Sequence, residues 1–366
     1  MGRRGFSLSA LFCWVLKTIM GGCRGGVWLL ASIVGLRPFF ASPPTDKYMA
    51  SVYIADTGYF LPERILTNDE LSKMVDTTQE WIESRVGIRE RRVADAEHNT
   101  SDLAAFAVEA SLQRAGWDKE DLDLFLCATS TPDSLIPATA SWSCQRMQLF
   151  DVPAFDINAA CSGFVYGMGV ARAMMQTGDF NKVAFVTAEK YTRVTDYTDR
   201  TSCIFFGDSA GSLLLTKDKP EKGAWEVVDT SMKNFNDGAD VVTTEIGGFF
   251  WQDGRRVKNY ALGAFKESAK WMLEKHGIKV DDLRAFVAHQ ANSRVLQTVC
   301  DMVGIHESQH WHNVEICGNQ GAAGSATTFC MGLEEHQGSF KDGDTILVTT
   351  FGSGFTSGSA LLRWVD

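Results

Sequence analysis

The chain has 366 residues, 45% apolar and 22% charged, with a formal net charge of −10 at pH 7. This is the composition of a soluble globular protein, and the length allows two domains or one duplicated one. The acidic balance argues against general nucleic-acid binding. The nine scattered cysteines include no CxxC pair and no zinc-type Cys/His spacing, so they read as cytosolic thiols rather than a disulfide scaffold.

The first 48 residues stand apart. They hold six basic residues, Arg3, Arg4, Lys17, Arg24, Arg37 and Lys47, against the single acid Asp46. Lys17 and Arg24 interrupt their apolar runs, which fall short of the ~18 residues of a spanning helix, so no stable membrane insertion is expected. A basic, acid-poor segment suits an organelle transit peptide of plastid type; it suits equally an upstream extension, with Met49 as a natural start. Residues 1–48 are therefore set outside the fold. The protein is expected in the cytoplasm, or in a plastid-type organelle if the leader is a transit peptide.

From Met49 the chain enters a strand almost at once. An amphipathic helix is expected over 103–115, followed by GWDKEDLDLFLCATS over 116–130. Residues 152–157 read as a strand that turns abruptly into a glycine-rich helix within AFDINAACSGFVYG, and Cys161 falls at the turn. Unpaired N–H groups at the start of that helix, and its dipole, would favour the nucleophilic thiolate. A second amphipathic helix over 263–276 leads into GIKVDDLRAFVAHQA over 277–291, where His289 follows a strand-like run. Asn319 lies in VEICGNQGAAGS after another strand-like run. Buried cysteines are more often inert, but one Cys with His and Asn elsewhere is the make-up of a nucleophilic site assembled by folding. His306, His310 and His312 are close in sequence but lack a fourth ligand, so no metal is expected.

The two halves of the body repeat. Gly116, Asp121, Leu122 and Phe125 match Gly277, Asp282, Leu283 and Phe286 at one constant offset. AFDINAACSG is similar to NVEICGNQGA, and GDSAGSLLL to TSGSALLRW. Alternating strands and helices argue for an α/β architecture, here with halves over 49–220 and 221–366. The repeat places Cys161 and Asn319 at nearly equivalent positions, at the starts of two central helices.

The ordered motifs GYFLPERILTNDEL, EWIESRVGIRERR, PAFDINAACSGF, TDRTSCIFFGDSAG, AHQANSRV, CGNQGAAGS and FGSGFTSGSALLRW run across residues 50–366. Together they resemble the β-ketoacyl-[acyl-carrier-protein] synthase III family, condensing enzymes of the thiolase superfamily. The resemblance implies a thiolase-like five-layered αβαβα sandwich of two duplicated halves, and a homodimer. It implies condensation of a short acyl-CoA primer with malonyl-acyl-carrier protein, starting fatty acid synthesis and releasing CO2 and CoA, with no cofactor. Partners would be acyl carrier protein and acyl-CoA. A related condensing enzyme or acyltransferase of a natural-product pathway using the same cysteine, and a non-catalytic carrier-docking subunit, are the alternatives; the complete Cys/His/Asn set weighs against the latter.

Site residues follow from the same resemblance. Cys161 would be the nucleophile, and His289 and Asn319 the donors to the oxygen that gains charge during decarboxylation. The oxyanion hole would use the backbone N–H groups of Cys161 and Ser353. Trp81 and Arg200 would sandwich the CoA adenine, with Arg85 nearby. Ile136, reaching a partner subunit, and Phe351 would shape the acyl pocket. Arg294, with Arg255, Arg256 and Lys258, would meet the acidic carrier protein.

Overall fold

In the computed structural model of the protein, residues 49–235 and 237–366 are described, and the leader over 1–48 lies outside them. The strands are β1 (Tyr53–Phe60), β2 (Arg64–Thr67), β3 (Glu90–Val93), β4 (Leu124–Ala128), β5 (Ala154–Ile157), β6 (Lys182–Lys190) and β7 (Asp208–Thr216). They continue with β8 (Ala224–Asn234), β9 (Val242–Thr244), β10 (Phe250–Gln252), β11 (Leu283–Ala288), β12 (His310–Trp311), β13 (Thr345–Gly352) and β14 (Thr356–Val365). The helices are α1 (Asn68–Met74), α2 (Gln79–Val86), α3 (Thr100–Ala115), α4 (Thr139–Arg146) and α5 (Gly163–Thr177). They continue with α6 (Gly254–His276), α7 (Ser293–Val303), α8 (Val314–Cys317) and α9 (Gly321–Glu335).

Strand order exposes the duplication. The main sheet runs β12-β11-β13-β14-β8-β1-β7-β6-β4-β5. Counting strands within each half, both runs read 3-2-4-5-1 outward-in, the second a mirror of the first along the sheet. The runs meet only where Tyr53 and Ile54 of β1 pair with Glu226 and Trp225 of β8. The matched glycines Gly116 and Gly277 both cap their helices in the left-handed conformation, at φ 66° and 65°, where a side chain would be strained. α6 starts well before residue 263, because the Asp253 carboxylate accepts from the Arg255 and Arg256 amides.

Strand side chains alternate between faces, and the alternation sorts them into separate cores. In β4, Leu124, Leu126 and Ala128 join the central core, while Phe125 and Cys127 face an outer one shared with α3 and α4. In β11, Ala285 and Val287 join the central core, while Phe286 and Ala288 face the outer core under α6 and α7. The central core holds α5 and α9 between the sheet faces. Helix, sheet, helix pair, sheet, helix is the five-layered order.

The run before Asn319 departs from the sequence reading. Val314–Cys317 is a single helical turn, not a strand; the strand of that region is the short β12. The chain has to turn here, because the Asn319 amide donates to the Phe205 carbonyl at 2.8 Å and Gly207 donates back to Asn319 at 3.0 Å. Gly318, at φ 72°, makes that turn, and a Cβ on it would lie 2.7 Å from the Phe205 oxygen.

Candidate active site

The central helices bring the site together. A Cβ on Gly163, at the start of α5, would lie 3.0 Å from the Ala322 methyl at the start of α9. Only a residue without a side chain lets the two helix starts approach so closely. Cys161 precedes one start and Asn319 the other, while His289 follows directly on β11. All three line one cavity of about 340 Å³.

Cys161 sits in the 3-10 turn Ala160–Ser162, whose first residue, Ala160, has φ 46°. A left-handed non-glycine residue costs ~1–2 kcal/mol, held here by the surrounding structure. The strand end β13 presses against this turn: a Cβ on Gly352 would lie 2.9 Å from the backbone nitrogens of both Cys161 and Ser162. Ser353 and Phe351 line the cavity beside Cys161, and the Ser353 hydroxyl is turned away, donating to the Val242 carbonyl at 2.6 Å.

The environment opposes the expected thiolate. Burial pushes the Cys161 thiol up to about 12, and the Glu189 carboxylate adds to the rise. The Tyr191 hydroxyl and the cysteine's own backbone N–H act in the opposite direction. Desolvation by apolar walls opposes the helix terminus and favours the neutral thiol.

His289 is buried, and burial lowers its pKa to about 4, with the Gly321 backbone acting the other way. The imidazole is therefore neutral at physiological pH and has one N–H to donate. Its amide is fixed by donation to the Thr349 carbonyl at 3.0 Å. Asn319 accepts the Gly321 N–H on its Oδ1 at 3.0 Å, which leaves its NH2 as the free end. Aromatic rings wall the remaining space: Tyr191 stacks on Phe206 at 4.7 Å, and Phe206 meets Phe250 edge-on at 4.6 Å.

At the cavity mouth stand Arg85, Lys258 and Arg294, all exposed. The Trp81 indole carries two guanidinium groups, Arg85 at 5.7 Å and Arg200 at 5.2 Å. Arg200 also donates to the Asp76 carbonyl at 3.1 Å, so a flat base entering this stack must displace it. Arg256 is bound by Asp240 at 2.8 and 3.2 Å, which neutralises it locally, and Arg255 sits beside it at the start of α6. Ile136 does not reach the cavity of its own chain; it is 86% exposed on the loop after β4.

Sequence reading missed Glu189, Tyr191 and Ser130: Tyr191 lines the cavity with Cys161, and Ser130 and Glu189 follow behind it. The available signal was a carboxylate closing the apolar run of β6, since a charge in a buried strand demands partners.

The fold and the cysteine lining this cavity define a thiolase-type condensing acyltransferase. The profile of 3-oxoacyl-[acyl-carrier-protein] synthase III matches residues 155–241, and its C-terminal profile matches 273–364. The β-ketoacyl-[acyl-carrier-protein] synthase III of Sulfurovum sp. (strain NBC37-1) is 40% identical over 83% of this chain and 93% of its own. The crystal structure of 3-oxoacyl-[acyl-carrier-protein] synthase III from Aquifex aeolicus VF5 superposes with a TM-score of 0.80 at 34% identity, covering 85% of this chain and 99% of that one. The priming β-ketosynthase of the R1128 polyketide pathway superposes at 0.79 with 27% identity, over 89% and 98%. The chain belongs to the β-ketoacyl-[acyl-carrier-protein] synthase III family.

Proposed function

We propose that the protein condenses a short acyl-CoA with malonyl-[acyl-carrier protein], giving 3-oxoacyl-[acyl-carrier protein], CO2 and CoA, and so initiates fatty acid synthesis. The observation that carries this is the meeting of Cys161, a neutral His289 and the free amide end of Asn319 in one apolar cavity. Cys161 attacks the primer thioester and expels CoA, while the N–H groups of Cys161 and Ser353 hold the tetrahedral oxyanion. Malonyl thioester then loses CO2, and the charge passes to its carbonyl oxygen, which accepts from His289 and Asn319. The resulting carbon nucleophile attacks the acyl-cysteine and releases the thiolate. The two thioesters and these side chains suffice, without a cofactor.

Trp81, Arg85 and Arg200 form the nucleotide end of the CoA site, and Phe351 borders the acyl pocket. Arg294 and Lys258, with Arg255 and Arg256 as an outer part, receive the acidic carrier protein. A homodimer is supported by β5 at the sheet edge, with Phe155 exposed on it, and by the exposed Leu135 and Ile136 nearby. The dimer would seat Ile136 at the end of the partner's pocket. We assign the body over 49–366 to the catalytic fold, divided near residue 220, with 1–48 outside it. A cytoplasmic setting is supported by the free thiols of the described residues; no helix among those residues is long and apolar enough to cross a membrane.

Similarity to the R1128 priming ketosynthase favours, as second reading, priming in a natural-product pathway. A panel of acyl-CoAs offered with malonyl-[acyl-carrier protein], with CO2 and product mass recorded, tests both. Short straight-chain primers releasing CO2 support the first; acyl transfer without CO2 release overturns it.

A further inference from the structure

A thiol held near 12 needs a base to become a nucleophile, and His289, held near 4, is a weak one. Behind the cavity wall lies a carboxylate that the proposed chemistry has not used. Glu189, near the end of β6, is fully buried. Its carboxylate accepts from the Ser130 amide at 3.1 and 3.2 Å, the Ser130 hydroxyl at 2.9 Å, the Thr131 hydroxyl at 2.6 Å and the Thr129 hydroxyl at 3.4 Å. The Ala322 backbone, in the first turn of α9, also favours its charged form. The Ser130 hydroxyl lies 2.9 Å from the Tyr191 hydroxyl. Tyr191 in turn lines the cavity with Cys161, close enough for its hydroxyl to act on the thiol. Gly321 closes the arrangement: a Cβ there would lie 2.3 Å from the Tyr191 ring and 3.1 Å from Glu189 Oε1.

We propose that Tyr191, Ser130 and Glu189 form a proton relay for Cys161, in which Tyr191 takes the proton from the reacting sulfur and Glu189 is the terminal proton acceptor. The inference rests on the reading of Cys161 as the nucleophile. During acyl loading the thiol proton passes to the Tyr191 oxygen, the phenol proton to Ser130, and the serine proton to the Glu189 carboxylate. Thiolate attack forms the acyl–sulfur bond and breaks the bond to CoA, whose sulfur takes a proton from water. When condensation releases the cysteine thiolate, the proton on Glu189 returns along the same path.

Burial lifts Glu189 to about 7, against the hydrogen bonds that hold its charge. It is thus a stronger base than His289. The titratable groups facing it are Cys161 from the nucleophile turn, Tyr191 after its own strand and Cys127 from β4, all pushed upward by burial. These groups are neutral where Glu189 titrates, so the carboxyl governs the proton balance of the chain.

The full chain is mixed with acetyl-CoA alone, and acylation is followed by rapid-quench intact mass across the range from acid to alkaline pH. In the wild type the rate should rise through a titration near the Glu189 value. Tyr191→Phe should lose that inflection and fall ~10²-fold near neutrality, recovering at high pH as the thiol ionises directly. Ser130→Ala, which removes one hydroxyl and leaves the aromatic wall intact, should do the same. The double variant should be no slower than either single, since the groups act as one unit. Both single variants retaining the wild-type rate and inflection overturns the relay and leaves the nucleophile standing. Acyl uptake by Cys161→Ala overturns the nucleophile and the relay together.

Discussion

The Gly321 amide donates to the side-chain oxygen of Asn319 at 3.0 Å, so the Asn319 NH2 is the end left for a substrate oxygen. The same glycine backbone adjoins His289. One turn at the start of α9 therefore orients both groups proposed to stabilise the decarboxylation charge.

Asn319→Ala and His289→Ala should each lower CO2 release from malonyl-[acyl-carrier protein] by ~10²–10³, the usual effect of losing a preorganised oxyanion donor. Both should still become acylated at Cys161 by acyl-CoA. Labelled CO2 reads one step and intact mass the other. If His289→Ala fails to acylate, the histidine serves as base for the thiol and the division of labour is wrong.

Gly352→Ala should disable acylation, because its methyl would stand 2.9 Å from the backbone nitrogens of Cys161 and Ser162. A fall of ~10²-fold or more is expected from a displaced oxyanion hole. Ser353→Ala should stay within a few fold of wild type, since the proposed donor there is backbone. Single-turnover acylation rates compare the two, and equal losses would refute the backbone assignment.

Burial lowers His289 from 6.5 to about 4 and raises Glu189 from 4.5 to about 7. Between the two histidine values the unfolded chain holds a proton that the folded chain lacks, so acidification destabilises through His289. Between the two carboxyl values the folded chain holds the extra proton, so acidification stabilises through Glu189. Relative to wild type, Glu189→Gln should make Tm fall more steeply from about pH 7 to about pH 5, and His289→Gln less steeply. Melting curves at fixed ionic strength test this; the reverse order of slopes would contradict both assignments.

Ile136→Gly should lengthen the accepted primer if the exposed loop after β4 ends the partner's pocket. A fixed pocket discriminates at ~1–3 kcal/mol per methylene. The acyl-CoA chain-length profile, read alongside the oligomeric state by light scattering, decides it. An unchanged profile in a dimer removes Ile136 from the pocket.

Much of this protein is local pattern and could be read in one dimension. The offset between Gly116 and Gly277 became two identical helix caps, and the matched runs after them became β4 and β11, because capping and alternation are properties of neighbouring residues. The motifs around Cys161, His289 and Asn319 likewise marked three segments that meet. Burial is set by distant residues, and there the tertiary structure decided. The start of a helix suggested a thiolate at Cys161, but desolvation by rings from separate strands and loops pushes it toward the neutral form. Val314–Cys317 looked like a strand, yet hydrogen bonds to Phe205 and Gly207 require a turn. Glu189, Ser130 and Tyr191 become one hydrogen-bonded chain only where β6, the loop after β4 and the start of α9 converge, and no spacing in the sequence encodes that convergence.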